Sequence, residues 1–145
     1  MAKKLGNDYR LWIESATPGT YNEIKGQTTL KISRQTGLTD TSTKDDYPYG
    51  TSAPGLKSLT IDCELYPNLP DANGYTILET AANAGTTTAV NFQIRKGGST
   101  GASGDAVFQA SMYIGNFDTD FGKNDVVKCT CQLTLAAAPT TDTLS

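Results

Sequence analysis

Between residues 58 and 65 polar and apolar side chains alternate without a break. Ser58, Thr60, Asp62 and Glu64 fall on one side, and Leu59, Ile61, Cys63 and Leu65 on the other. A period of two excludes a helix and demands a strand with one dry face and one wet face. The same period returns in residues 126–135, where Val127, Cys129, Cys131, Leu133 and Leu135 share a side. Shorter runs repeat it: Tyr9, Leu11 and Ile13 in 9–14, Leu30 and Ile32 in 28–34, and Val90, Phe92 and Ile94 in 89–95. Residues 21–25 and 105–116 read as strands as well. Threonine, the commonest residue at 22 of 145, favours the same conformation.

One helix interrupts the pattern. Pro70 and Asp71 open it, Tyr75, Leu78, Ala81 and Ala82 line one side, and Gly85 is a stop signal, which places the helix at about 72–84. Residues 35–55 have no hydrophobic period; three Gly, two Pro and seven Thr or Ser make them a long polar loop or hairpin. Such a segment far exceeds the median connection of ~4–6 residues. The expected fold is therefore mainly β: a sandwich or barrel of about seven or eight strands, one short α-helix and one long excursion. It fills a single domain, 1–145, with an N-terminal arm at 1–8 and a small polar C-terminal tail at 136–145. Leu, Ile, Val and Phe supply only 27 of 145 residues. That core is thin, and neighbouring subunits are expected to bury the remaining apolar surface.

Composition removes several functions. Histidine is absent, which excludes Ser-His-Asp, Cys-His and HExxH chemistry. A net charge of −3 excludes an electrostatically driven nucleic-acid binder. No apolar run at the N-terminus suits a secretory signal, and none reaches a membrane span, so folding in a reducing cytoplasm with free thiols is expected. Cys129-Thr-Cys131 has the wrong spacing for a zinc knuckle, and Cys63, Cys129 and Cys131 read as core thiols. The glycine-serine stretch 97–104 runs into a strand, not a helix, so it is a hairpin connection and no phosphate loop. Asn116-Phe-Asp118-Thr-Asp120 begins like a calcium loop but has Phe121 and Val127 where Gly and Glu are required, so a polar turn is expected. Asp62 and Glu64 could serve as an acid–base pair, yet they suit a solvated sheet face better. No enzyme, metal or cofactor is expected. Tyr47-Pro48-Tyr49 beside Asp45 and Asp46 suits protein–protein contact.

The order of these features resembles the major tail (tail tube) proteins of long, non-contractile-tailed bacteriophages. An early strand pair is followed by the excursion 35–55, a wet-faced strand at 56–66, a short helix and three late strands. The resemblance implies hexameric rings stacked into a tube, with four strands per subunit lining a bore through which DNA passes unbound. It implies partners at the two ends and inside: tail terminator, tail tip and tape measure proteins, with assembly in the host cytoplasm and a final place in the virion tail. On this reading Asp40, Lys44, Asp45, Asp46, Tyr47 and Tyr49 form a ring-stacking loop, and Ser58, Thr60, Asp62 and Glu64 face the lumen. Rival readings are another β-rich virion protein (a tail terminator or head decoration protein), a carbohydrate-binding β-sandwich, or a hydrolase using Asp62 and Glu64.

Overall fold

A computed structural model describes residues 3, 5–15, 17–46, 49–84 and 89–144. Its strands are β1 (Arg10–Glu14), β2 (Tyr21–Glu23), β3 (Gln27–Asp40), β4 (Ser52–Leu65), β5 (Val90–Arg95), β6 (Ala106–Asp120), β7 (Lys128–Leu135) and β8 (Thr141–Asp142). The helix α1 (Tyr75–Asn83) lies between β4 and β5. All pairings are antiparallel, in the order β2-β1-β5-β6-β7-β4-β3, with β8 beside β6.

The sheet is two half-sheets sharing one long strand. The first part of β6, up to Met112, pairs with β5; from Met112 to Asp120 it pairs with β7. A register shift between Ile114 and Asn116 marks the crossing, the usual device by which a strand passes from one layer to another. Both halves close over one core. Leu11 and Ile13 from β1, Phe92 from β5, Phe108 and Met112 from β6, Cys129, Cys131 and Leu133 from β7, and Leu59, Ile61, Cys63 and Leu65 from β4 are all buried in it. The alternation of 58–65 is borne out residue by residue. Arg34 lies opposite Leu59, and its guanidinium pairs with the Asp142 carboxylate of β8 across the rim of the core.

Several boundaries differ from the expectation. The strand of 28–34 runs on to Asp40, and the strand of 56–66 begins at Ser52. Residues 35–40 and 52–58 pair with each other, so their inward-facing backbone groups are satisfied although almost every side chain is exposed. With both faces wet there is no burial to impose a period. Asn116 to Asp120 are not a turn but the end of β6, aligned against β7; the turn follows at 121–127. Val127 precedes β7 and is exposed, not buried. The small polar tail contributes β8, because Thr141 and Asp142 complete the open side of β6.

The helix begins at Tyr75, later than the expected 72, for a reason that also anchors it. Asp71 is buried, and its Oδ2 accepts the backbone N–H groups of Tyr75 and Lys25, each at 3.1 Å. One carboxylate thus caps the helix and ties it to the β2–β3 turn. Gly74 sits between this carboxylate and the end of β2, since a Cβ there would lie 2.6 Å from Asp71 Oδ2 and from the Glu23 carbonyl oxygen. In that β2–β3 turn Gly26 has φ +86°, and an added Cβ would lie 1.9 Å from the Tyr66 carbonyl oxygen, so only glycine fits. The expected stop at Gly85 lies outside the described residues. Asp71→Ala is expected to lower stability by about 1–3 kcal/mol, because two poorly solvated donors lose their acceptor. Asp71→Asn, which keeps an acceptor oxygen, is expected to recover most of it; thermal denaturation of both variants is the check.

Candidate functional site

Three features of the surface stand apart from ordinary solvated sheet: a projecting hairpin, a charged face and two open strand edges. The hairpin comes from β3 and β4. β4 is held by β7 only between Thr60 and Leu65, and beyond that point the two strands support only each other. The six residues from Gln35 to Asp40 carry the ribbon roughly 20 Å clear of the body at ~3.3 Å per residue. A register shift between Thr36 and Leu38 kinks it. At its tip the Thr41 N–H donates to the Thr51 carbonyl at 3.0 Å, and Ser42 Oγ accepts the Thr51 N–H at 2.6 Å. Asp40 Oδ1 accepts the Ser42 N–H at 2.9 Å, and that hydrogen bond lowers the pKa of the Asp40 carboxyl.

Of the residues assigned from sequence to this loop, Asp40 ends β3 and Lys44 and Asp45 lie in a single 3-10 turn at the tip. Tyr49 is 83% exposed. Tyr47 and the side chain of Asp46 lie outside the described residues. The sequence reading missed Leu38 and Leu56, apolar side chains exposed on the ribbon itself. The signal was present in the chain, two leucines inside a segment otherwise polar, but without the pairing they had no common location.

The charged face is the wet side of β6-β7-β4-β3. Register gathers Lys31, Asp62, Gln132 and Asn116 into one row across the four strands, and Thr29, Glu64, Thr130 and Asp118 into the next. Asp120 lies opposite Lys128, one row further. Ser58 and Thr60 continue the same side of β4, so the four residues singled out there do share a solvent-facing surface. Glu64 accepts a hydrogen bond from Thr29 Oγ1 at 3.4 Å and pairs with Lys128 Nζ at 3.5 Å. Asn116 Nδ2 donates to Gln132 Oε1 at 3.3 Å. Four carboxylates, Asp62, Glu64, Asp118 and Asp120, meet two lysines, Lys31 and Lys128, which leaves the face acidic. Sequence reasoning saw half of it; Lys31, Asp118 and Asp120 needed the register. Along β6 the oxygens of Asn116, Asp118 and Asp120 are spread at ~7 Å per pair of residues, too far apart to converge on one cation.

The opposite face of β1, β2 and β5 is a packed polar cluster. Arg95 is buried, its guanidinium 4.5 Å from the centre of the Trp12 ring, and it donates from Nε to Gln93 Oε1 at 2.7 Å. Gln93 Nε2 in turn donates to Gln109 Oε1 at 2.9 Å. Burial lowers the pKa of Arg95, and the ring faces of Trp12 and Tyr21 replace part of the lost hydration. In the core, Cys63 and Cys131 lie directly opposite on β4 and β7, and all three thiols are buried. The hydrogen bond with Cys131 and burial raise the pKa of the Cys63 thiol far above its ordinary value. Such thiols are packing groups.

Besides the short β2 and β8, which each pair on one side only, two longer edges remain open among the described residues. β3 pairs on one side only, and β6 beyond Met112 has a partner only in β7. These edges bound the four-stranded layer β6-β7-β4-β3 at its two sides. An exposed edge of that length invites pairing with another chain.

The phage tail tube protein family matches residues 4–141. No curated protein sequence matches the chain. Among solved structures, the tail of an empty gene transfer agent (GTA) particle with C6 symmetry aligns over 96% of this chain and 98% of its own, at TM-score 0.79 and 15% identity. The SPP1 tail tube aligns over 97% of this chain and 80% of its own, at TM-score 0.72 and 14% identity. A chain of the anti-feeding prophage baseplate aligns over 99% of both, at TM-score 0.66 and 12% identity. At these identities the likeness is one of fold.

Proposed function

The chain belongs to the phage tail tube protein family, and from that membership we propose how its surface serves a tube. It is a structural subunit of the virion tail, and its work is assembly, not catalysis. Copies join side by side into rings of six, and rings stack into the conduit through which the genome leaves. The observation that carries this reading is the pair of open edges. β3 and β6 bound a layer of four strands that alternate in direction, so β3 of one copy runs antiparallel to the lower half of β6 of the next. Side-by-side pairing then continues the sheet without reversing it, and a closed ring leaves that layer no edge.

Six is the symmetry named for the gene transfer agent tail, and six copies give a conduit of sufficient width. About 24 strands at ~4.8 Å spacing and ~45° tilt close into a barrel roughly 50 Å across the backbone. Side chains leave a bore of roughly 40 Å, wide enough for a duplex of ~20 Å. The face carrying Ser58, Thr60, Asp62 and Glu64 lines that bore, and the hairpin 35–55 reaches the adjacent ring. Tape measure, tail terminator and tail tip proteins meet the tube inside and at its ends, and assembly takes place in the host cytoplasm. Negative-stain electron microscopy of the concentrated protein is the test: long hollow tubes with six-fold cross-sections are expected. Isolated rings or trimers alone would turn the assignment toward a tail terminator or head decoration protein.

A further inference from the structure

The two half-sheets share β6 on one side of the molecule. On the other side their ends meet at a seam, where β1 and β3 exchange no backbone hydrogen bond among the described residues. One side chain bridges it. β2 covers β1 from Trp12 to Glu14 and stops one residue short of Leu11. There the Gln27 carboxamide takes over. Its Oε1 accepts the Leu11 N–H at 3.0 Å, and its Nε2 donates to the Leu11 and Ile24 carbonyls at 2.8 and 2.7 Å. Reversing the amide would set oxygen against two carbonyls, so its orientation is determined. The local chain delivers this side chain to the seam. Gly26, at φ +86°, turns the backbone, and a register shift follows between Gln27 and Thr29. Gln27 lies opposite the buried Leu65, which puts it on the core side of β3. Beside it a groove of about 700 Å³ opens between residues 6–10 and the first residues of β3, so packing does not close the seam there. Further along β3, Arg34 makes a second bridge, to Asp142, but that ion pair faces solvent and is screened by salt.

We propose that Gln27 is a positioning residue for assembly: by closing the seam it fixes the start of β3, and with it the free edge that β3 offers to the next copy. This rests on the side-by-side pairing given above and identifies what holds one of the two pairing edges in place beforehand. A strand paired on one side only frays from its end. With its first residue tied to β1, the edge needs no further ordering when a neighbour docks. Only a carboxamide makes all three bonds. A carboxylate would set oxygen against the Leu11 and Ile24 carbonyls, and protonation would return one donor. The titratable and charged groups around the site are Tyr9, Arg10 and Glu23 on the groove, Lys25 in the turn, Asp71 before the helix, Tyr66 after β4, and Glu64 on the wet face of β4. Arg10 and Glu23 pair with each other at 3.0 Å, and Asp71 Oδ2 already accepts two N–H groups. All of these are common to parent and variant, so a comparison at equal pH isolates residue 27.

Two readouts test the clasp: hydrogen exchange of the Leu11 amide, followed by NMR on unassembled protein, and tube growth, followed by electron microscopy. Gln27→Met keeps the length of the side chain and loses its hydrogen bonds. In it the Leu11 amide is expected to exchange at least about tenfold faster than in the parent, and tubes to grow at least about tenfold more slowly. Gln27→Glu is expected to show both defects at about pH 7.5. A carboxyl facing two carbonyls titrates above its ordinary range, so the stability it lends is present at low pH and lost as pH rises. Relative to the parent at each pH, both defects are therefore expected to shrink on acidification to about pH 5. Leu11 protection in Gln27→Met equal to the parent's would overturn the clasp. Lost protection with tubes growing at the parental rate would overturn the positioning role, and so would a Gln27→Glu defect of the same size at both pH values. Should Gln27→Met not fold, Gln27→Glu at the two pH values decides. Parent protein that builds no tubes fails the tube reading itself, a separable result because Leu11 exchange is read before assembly.

Discussion

Deletion of residues 40–50 is expected to leave a folded, soluble protein that builds no tubes. The excised stretch adds no described residue to the core: every one is exposed, and the hydrogen bonds given above for it run within the hairpin. Body pairing between β4 and β7 begins at Thr60, well below the cut. The thermal midpoint is therefore expected to stay within a few degrees of the parent. Stacking is another matter: on the proposed role of the hairpin, the reach across the ring boundary is gone and every subunit of a ring loses it together. Light scattering and electron microscopy on deletion and parent proteins at equal concentration are the check. Tubes of normal length from the deletion would refute the stacking role.

Asp62→Lys together with Glu64→Lys is expected to leave assembly intact and to arrest genome delivery. Neither side chain packs in the core, and both lie on the solvent side of β4. Losing the exposed Glu64–Lys128 pair costs less than about 1 kcal/mol. On the wet face the change is a reversal: four carboxylates against two lysines become two against four, in every subunit. DNA carries one charge per ~1.7 Å of its axis, so a cationic wall holds it along the whole length of the tube. On the proposed lumen assignment the parent's acidic wall instead repels it at every position, with a range of ~8 Å at physiological salt. Infectivity of a phage carrying both changes is the measurement, with tails counted by electron microscopy as the control for assembly. Normal infectivity would exclude the lumen assignment, and so would a map with either side chain on the outside of the tube.

How much of this was legible in the chain depended on burial. Where one face is dry and the other wet, as at 58–65, the period is written in side chains and the strand was read correctly. Where both faces are wet, as at 35–40 and 52–55, no residue has a reason to alternate, so the sequence left loop and hairpin undecided and only the pairing makes them strands. The end of β6 failed for a related reason: Asn116, Asp118 and Asp120 are turn residues by type, and only their alignment with Gln132, Thr130 and Lys128 makes them strand. The acidic face was half legible, because Asp62 and Glu64 sit in one strand while Lys31, Asp118 and Asp120 join them through long-range register. The Arg95 cluster was not legible, since its pairing with Trp12 joins strands far apart in the chain.

The strand shared by the two half-sheets has a mechanical consequence. β6 is one unbroken backbone of 15 residues whose lower half lies at the open edge and whose upper half is clamped between β5 and β8. A pull applied by a neighbouring subunit on the lower half travels along covalent bonds into the upper half. There it acts along the strand, so the flanking hydrogen bonds are loaded side by side in shear and must yield together. Peeling would break them one at a time and needs far less force. In the tube proposed above, stretching or bending thus loads each subunit along β6, the direction in which its flanking hydrogen bonds are hardest to break.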